Sequence, residues 1–158
     1  MSNLSFIIDE GYKRGMIIVL NPSPINEKIF ECDLEKLEYL ILNEIEAADI
    51  LGDSDTGEDE LIEKLTKRFP GMKIVLTLGE KGSVYVDKTQ KIRQEIYKAD
   101  VVDTTAAGDT FTGYFIAGLV AGTDVSEALK QAAKAASITV SRKGASPSIP
   151  FAKEVCER

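Results

Sequence analysis

The chain contains no histidine, no tryptophan and only two cysteines among its 158 residues. Without histidine it cannot form a Ser-His-Asp or Cys-His catalytic centre, a zincin metal site or an imidazole general base. Cys32 and Cys156 lie far apart and outside any Cys-x-x-Cys spacing, which indicates two reduced thiols rather than a disulfide framework or a zinc site. Acid–base chemistry must therefore fall to carboxylate, lysine, tyrosine or cysteine side chains.

The chain also has few positive charges and no long apolar run. Its 19 Lys and Arg residues face 26 Asp and Glu residues, and the resulting net charge of −7 argues against nucleic acid or an anionic membrane as a partner. No apolar segment has the length that a bilayer requires, and the first residues lack the basic region and hydrophobic block of a secretory signal. These features predict a cytoplasmic protein.

The composition, 44% hydrophobic and 28% charged, is typical of one soluble domain with a substantial core. Hydrophobic periodicity predicts helices over residues 4–12, 44–51, 61–69, 111–119 and 125–139, and strands over 16–20, 39–42, 73–78 and 83–87. The last strand is expected to pair antiparallel in a hairpin. The alternation predicts an α/β fold with a mostly parallel sheet, helices on both faces, and ligands at the carboxyl ends of the strands.

Small residues and a carboxylate separate an apolar run from a helix-compatible stretch between Asp103 and Phe111. Ala106, Ala107 and Gly108 have little or no side chain, so a phosphate could approach the amides of the first helical turn. Asp109 could accept the proton of an attacking hydroxyl beside that phosphate. The residues alone leave an alternative open, in which Asp109 caps the helix and the small residues form a tight packing contact.

This stretch closely resembles the C-terminal signature Asp-Thr-x-Gly-Ala-Gly-Asp-x-Phe of the ribokinase (PfkB) family of carbohydrate kinases. Other features of the family recur in the expected order, at residues 21–24, 43–46, 77–82 and 142–148. Ala106 stands where the family usually has glycine. Its Cβ is harmless at negative φ but costs about 1 kcal/mol or more in a left-handed backbone conformation.

The resemblance implies that Asp109 is the catalytic base and contacts the sugar hydroxyl. It implies that the amides of Ala106, Ala107, Gly108 and Asp109 form the anion hole, and that Glu46 holds Mg²⁺ through water. The nucleotide-binding positions that it implies are Asn43, Thr77, Leu78, Gly79, Glu80, Lys81, Gly82, Gly108 and Ala133. Without the family, Asn43 and Glu46 are typical of a helix cap and a first-turn acid, residues 77–82 of a turn, and Ala133 of plain packing.

The resemblance also implies a monovalent cation site, of the kind found in potassium-activated ribokinases and built mostly from carbonyl oxygens. The matching positions are Asp103, Thr105, Thr139, Arg142, Gly144 and Ser148. The alternative is that Arg142 and Lys143 form a solvated basic turn after a helix C-terminus, where the helix dipole favours positive charge.

Nothing in the chain matches the Gly-Gly motif or the small β-sheet lid of the family's N-terminal half, which holds most of the sugar. The chain is therefore expected to be the C-terminal, ATP-binding portion of a sugar kinase that uses ATP and Mg²⁺. An uncovered strand edge would favour self-association or pairing with the missing half. The competing hypothesis is a non-catalytic nucleotide-binding or assembly module.

Overall fold

The computed structural model describes residues 3–53 and 56–156. Internal contacts divide the chain into two compact units. Unit 1 comprises Met1–Leu78 and Val84–Ile92, and unit 2 comprises Gly79–Ser83 and Arg93–Arg158.

A five-stranded sheet carries the order β1 (Val19–Leu20), β2 (Tyr39–Asn43), β3 (Lys73–Thr77), β4 (Ser83–Val86) and β5 (Lys91–Gln94). Strands β1, β2 and β3 are parallel, with Leu20 opposite Leu40 and Asn43 opposite Thr77. Because β2 and β3 are almost entirely buried, their sequences are continuous apolar runs rather than alternating ones. The predicted α/β fold with a sheet flanked by helices is confirmed.

The described residues of unit 1 form three α-helices, namely α1 (Leu4–Lys13), α2 (Glu44–Leu51) and α3 (Glu58–Arg68). Helix α3 has three acids in its first turn and ends with Lys67 and Arg68, a charge order that the helix dipole favours. Its apolar face is buried in the main core cluster of the unit, whose central members include Leu40, Leu42, Ile50, Leu61, Ile62, Leu65, Ile74 and Leu76. Burial of this face, more than helix propensity, holds α3 in place.

Unit 2 contains a helix pair, α4 (Ala107–Val120) and α5 (Val125–Val140), followed by the short helix α6 (Ala152–Cys156). Asp124 caps α5 by accepting a hydrogen bond from the Glu127 amide at 3.1 Å. The Thr139 hydroxyl donates to the Thr110 hydroxyl at 3.1 Å, and both groups are buried. This bond ties α5 to α4 inside their interface.

Several sequence predictions differ from the structure. The run from Met16 to Leu20 was expected to be a buried strand, but only Val19 and Leu20 pair in the sheet, and the side chains of Met16 and Ile17 are exposed. Apolar character was therefore a poor guide to burial there: β1 begins only at Val19, and among the described residues before it only the Ile18 carbonyl bonds to β2, accepting from the Tyr39 amide at 3.2 Å. Strand β5, helix α6 and the 3₁₀ turns at 27–31 and 34–36 were not predicted.

Candidate functional site

The carboxyl ends of β2 and β3 bring two predicted nucleotide-binding residues side by side. Asn43 and Thr77 are opposite each other in the strand register. The Thr77 hydroxyl donates to the Leu42 carbonyl at 3.3 Å, which keeps the side chain at this edge of the sheet. The two positions thus lie where parallel α/β sheets bind ligands.

Asn43 and Glu46 form a reciprocal capping box at the start of α2. The Asn43 Oδ1 atom accepts from the Glu46 amide, and the Glu46 Oε2 atom accepts from the Asn43 amide, both at 2.9 Å. Glu46 is 6% exposed. Its second oxygen, Oε1, accepts no hydrogen bond from the residues that the structure describes. The cap is therefore present, and one carboxylate oxygen is still available to a water or an ion.

A glycine-bounded turn, residues 79–82, connects β3 to β4. Gly79 and Gly82 have φ of 55° and 89°, a region that favours glycine, and the Gly82 amide donates to the Gly79 carbonyl at 3.1 Å. A Cβ on Gly82 would collide with the backbone carbonyl oxygen of Gln94. The side chains of Glu80 and Lys81 are exposed, whereas Leu78, just before the turn, is buried.

Helix α4 begins with an unusual backbone conformation. Ala106, its N-terminal flanking residue, has φ of 62° and ψ of 8°, the left-handed region, and no side chain caps the helix. The Ala107 amide donates to the Thr104 carbonyl at 3.2 Å and the Thr110 amide donates to the Ala106 carbonyl at 2.8 Å. Among the described residues, no group accepts a hydrogen bond from the amides of Gly108 and Asp109. Two N–H groups at a helix N-terminus are therefore available to an anion.

Asp109 is the acidic residue in the first turn of α4, the turn to which these amides belong. Its side chain is exposed and makes no hydrogen bond or ion pair within residues 3–53 and 56–156. The alternative, in which Asp109 caps the helix, is not what the side chain does in this conformation. A carboxylate without a partner next to free amides is suited to accept a proton close to a bound phosphate.

Asp103 joins the loop before α4 to the loop after α5. Its Oδ1 atom accepts from the Thr105 amide and its Oδ2 atom from the Gly144 amide, each at 2.9 Å. Hydrogen bonds from the Thr105 side chain and from the Gly144 and Thr105 amides hold the pKa of Asp103 at about 2, below its ordinary 3.8. The structure thereby places three of the predicted cation-site residues in contact.

The remaining predicted cation-site residues are engaged in local contacts. The Thr139 carbonyl accepts from the Arg142 amide at 3.0 Å, and the Ser148 hydroxyl, fully buried, donates to the Ala145 carbonyl at 2.6 Å. The Arg142 guanidinium does not extend into solvent as an unpaired group, because it pairs with Glu154. Ala133, predicted to lie beside the nucleotide base, is buried on α5.

Glu154 is the residue in this region that the sequence predictions missed. It accepts hydrogen bonds from the Arg142 guanidinium and, at 2.7 Å, from the Phe151 amide. The second bond is half of a capping box, since an acid three residues after a helix-flanking position reaches back to that position's amide. The sequence carries only half of the usual signature, because Phe151 lacks the side-chain oxygen that an N-terminal capping residue normally has.

Comparisons with known proteins identify relatives of the chain. The family model described as pfkB family carbohydrate kinase matches residues 8–152. A curated relative, the ribokinase of Staphylococcus aureus, is 38% identical over 144 residues, which cover 89% of this chain and 47% of the relative.

Solved structures give a similar result. The Arabidopsis thaliana ribokinase, solved with ribose and ATP, is 33% identical to this chain, with a TM-score of 0.81. The match covers 96% of this chain and 50% of the ribokinase. The Cryptococcus neoformans ribokinase, solved with ADP, is 30% identical with a TM-score of 0.85, and 99% of this chain covers 56% of it. The chain therefore spans about half the length of the ribokinases it matches. None of the helices within the described ranges combines the length and the hydropathy that a bilayer span requires.

Proposed function

Since this chain belongs to the pfkB family of carbohydrate kinases, we propose that it provides the nucleotide and phosphate-binding part of a kinase that phosphorylates a sugar hydroxyl with ATP. The observation that carries the proposal is the start of α4, where the free amides of Gly108 and Asp109 adjoin the exposed, unpaired Asp109 carboxylate. Such amides stabilise charge on phosphoryl oxygens, and such a carboxylate takes up the proton of the attacking alcohol.

In the proposed reaction, the acceptor hydroxyl gives its proton to the Asp109 carboxylate while its oxygen bonds to the γ-phosphorus of ATP. The bond between that phosphorus and the oxygen bridging to the β-phosphate breaks, and ADP leaves with the electron pair. The amides of Gly108 and Asp109 donate to the transferring phosphoryl group. The Ala107 amide is already bonded to Thr104, so it would join the anion hole only after that bond opens.

Asn43, Thr77 and the turn 79–82 are the proposed nucleotide contacts in this reaction. The left-handed glycines let the backbone of the turn approach a ligand without a side chain in the way. The Arabidopsis and Cryptococcus relatives, solved with ATP and ADP, support a nucleotide as the ligand.

Magnesium fits the edge of the sheet through a single carboxylate, because Mg²⁺ retains several waters and needs few protein ligands. Glu46 would hold it, mostly through water, with the Oε1 atom that its capping bond leaves available. The ion would supply positive charge to the phosphate oxygens of ATP.

A monovalent cation such as K⁺ fits the paired loops that Asp103 joins. Carbonyl oxygens of Asp103, Thr105, Thr139, Arg142 and Gly144, with Ser148, would hold it, and its charge would favour anion binding at the adjacent start of α4. Among the described residues, no cluster of three His, Cys, Asp or Glu side chains is present. The cation would therefore depend on backbone oxygens.

Replacement of Asp109 tests the proposal. In a chain completed by the other half of a ribokinase-like protein, Asp109→Asn should preserve ATP affinity and lower kcat by roughly 10²- to 10⁴-fold, because the hydroxyl proton loses its acceptor. ATP affinity is measured by calorimetry and kcat by ADP release with ribose and other sugars. Asp100→Asn, which alters an exposed acid outside the helix, is the matched control. A variant that keeps more than a few per cent of the wild-type rate would refute the base assignment.

A second candidate function follows from the chain's share of its relatives' length. A chain that matches about half of a ribokinase could bind nucleotide without catalysing transfer, as an assembly module. Calorimetry with ATP and Mg²⁺ separates the two functions: binding without phosphorylation of any sugar, even after the other half is added, would favour the module. As part of the kinase proposal, we also propose that the chain pairs with that other half and is located in the cytoplasm.

A further inference from the structure

Glu154 ties the C-terminal helix α6 to the loop that follows α5. One of its oxygens accepts from the Arg142 guanidinium, and the other accepts from the Phe151 amide at 2.7 Å. The Arg142 and Glu154 side chains are 36% and 31% exposed, so the pair is partly shielded from water. A charge-assisted bond in such a setting is stronger than a bond between fully solvated groups.

The segment that follows Arg142 is hydrogen-bonded to Asp103. Gly144, two residues after Arg142, has φ of 95° and donates its amide to the Asp103 carboxylate at 2.9 Å. The same carboxylate accepts from the Thr105 amide, and Thr105 immediately precedes the left-handed Ala106. A continuous path of hydrogen bonds and short chain segments therefore runs from Glu154 to Ala106, the residue that flanks the start of α4.

Helix α6, which carries Glu154, is itself held in place by contacts with α4 and α5. The Tyr114 hydroxyl of α4 donates to the Pro150 carbonyl at 2.7 Å, just before α6. Val155, next to Glu154, is buried in a cluster with Ala135 and Ile138 of α5. With its own helix fixed at two points, the Glu154 carboxylate restrains Arg142 rather than following it.

We propose that Glu154 is a positioning residue: through Arg142 and Gly144 it holds the loop after α5 against Asp103 and thereby sets the geometry of the phosphate-binding start of α4. The effect on nucleotide binding rests on the proposed function, whereas the effect on the loop does not. Glu154 itself touches no substrate in this scheme.

Amide hydrogen exchange, measured by NMR on the 158-residue chain, tests whether Glu154 restrains the loop after α5. In Glu154→Ala, the Gly144 and Thr105 amides should exchange roughly tenfold faster than in the wild type, because the restraint from Arg142 is lost. Lys153→Ala, an exposed substitution on the same helix, should leave both rates unchanged. Glu154→Gln, which keeps a neutral acceptor, should give an intermediate rate. Unchanged exchange at both amides in Glu154→Ala would overturn the proposal.

General loss of structure is distinguished by the amide of Leu129, a fully buried residue in the second turn of α5, and by a double-mutant cycle. Exchange at Leu129 should stay the same in Glu154→Ala if the effect is local. Arg142→Met should accelerate Gly144 exchange as Glu154→Ala does, and the double variant should add little, since both remove one interaction. Additive acceleration, or equal acceleration at Leu129, would contradict the proposed role.

Calorimetry with ATP and Mg²⁺ provides the arm that depends on the proposed function. Glu154→Ala should weaken ATP binding at least threefold, Glu154→Gln should restore part of it, and Lys153→Ala should have no effect. Faster exchange with unchanged ATP affinity would overturn the link to the phosphate site. If the wild-type chain binds no ATP, the proposed function fails, and the exchange data alone decide whether Glu154 positions the loop.

Discussion

Ala106 is the one residue other than glycine that has a positive φ among the residues the structure describes. A Cβ in the left-handed region crowds the neighbouring carbonyl, which costs roughly 1–2 kcal/mol. Ala106→Gly removes that strain but gives the unfolded chain more freedom, which offsets part of the gain. We expect the free energy of unfolding to rise by about 0.5–1 kcal/mol, measured by urea denaturation.

Ala121→Gly is the matched control for this prediction. Ala121 flanks the other end of α4 with φ of −74°, where alanine is unstrained. The substitution there should lower the free energy of unfolding by up to about 1 kcal/mol, because only the entropic penalty of glycine remains. If both variants lose stability, the left-handed conformation of Ala106 is not a source of strain.

At the scale of single residues, the sequence indicated which residues form the candidate site better than it indicated their backbone conformations. The small side chains at 106–108 were enough to predict an accessible turn, and the Gly108 and Asp109 amides are in fact unbonded within the described chain. The sequence does not determine the sign of φ at Ala106, because alanine adopts negative φ without strain and positive φ only at an energetic cost that the surrounding structure must offset. The Arg142–Glu154 pair escaped prediction, since two charges 12 residues apart give no local pattern.

Helices α4 and α5 approach closely at Gly118. A Cβ built there would lie 3.0 Å from the Cβ of Ala128 and 3.3 Å from its Cα, both attached firmly to α5. Gly118→Val should therefore force the two helices apart and lower the free energy of unfolding by about 1–3 kcal/mol, although valine is a better helix former than glycine. Thermal or urea unfolding measures the change.

Gly113 on the same helix provides the comparison. No atom lies within 4 Å of the Cβ position at Gly113. Gly113→Val should be neutral or raise the free energy of unfolding by a few tenths of a kcal/mol, about the difference in helix propensity between the two residues. Equal losses in the two variants would mean that close packing at Gly118 is not responsible.

Elements with a strong period were predictable, and short elements were not. Helix α3 follows the apolar spacing of residues 61–69, and the predicted boundaries of α2 match the structure. Strand β5 has the sequence Lys-Ile-Arg-Gln, and only its place beside β4 makes it a strand. Its pairing is a tertiary effect, which local propensity does not contain.

For the whole molecule, the main feature is the apolar surface near the start of the chain. Phe6, Ile7, Met16 and Ile17 are between 63% and 73% exposed, and β1 is an edge strand of the sheet. Exposed apolar surface beside a strand edge favours association. We expect the purified chain to self-associate, and Ile7→Lys with Ile17→Lys to shift it toward the monomer, as measured by sedimentation velocity over a range of concentrations.

Val120→Lys is the control. Val120 is 83% exposed at the end of α4, far along the chain from the four residues that define this surface. It should leave the distribution of species unchanged. A wild-type chain that stays monomeric at high concentration and binds no apolar dye would exclude self-association through this surface.

The hydroxyl pair of Thr110 and Thr139 restricts how the two long helices of unit 2 can be aligned. If α4 slid by one residue along α5, each hydroxyl would lose its partner in a dry environment, at a cost of about 1–3 kcal/mol per group. Offset arrangements of the pair are thereby disfavoured. In every folded molecule the first peptide groups of α4 consequently occupy one fixed position along α5. A binding site for a small, highly charged group requires such a fixed position.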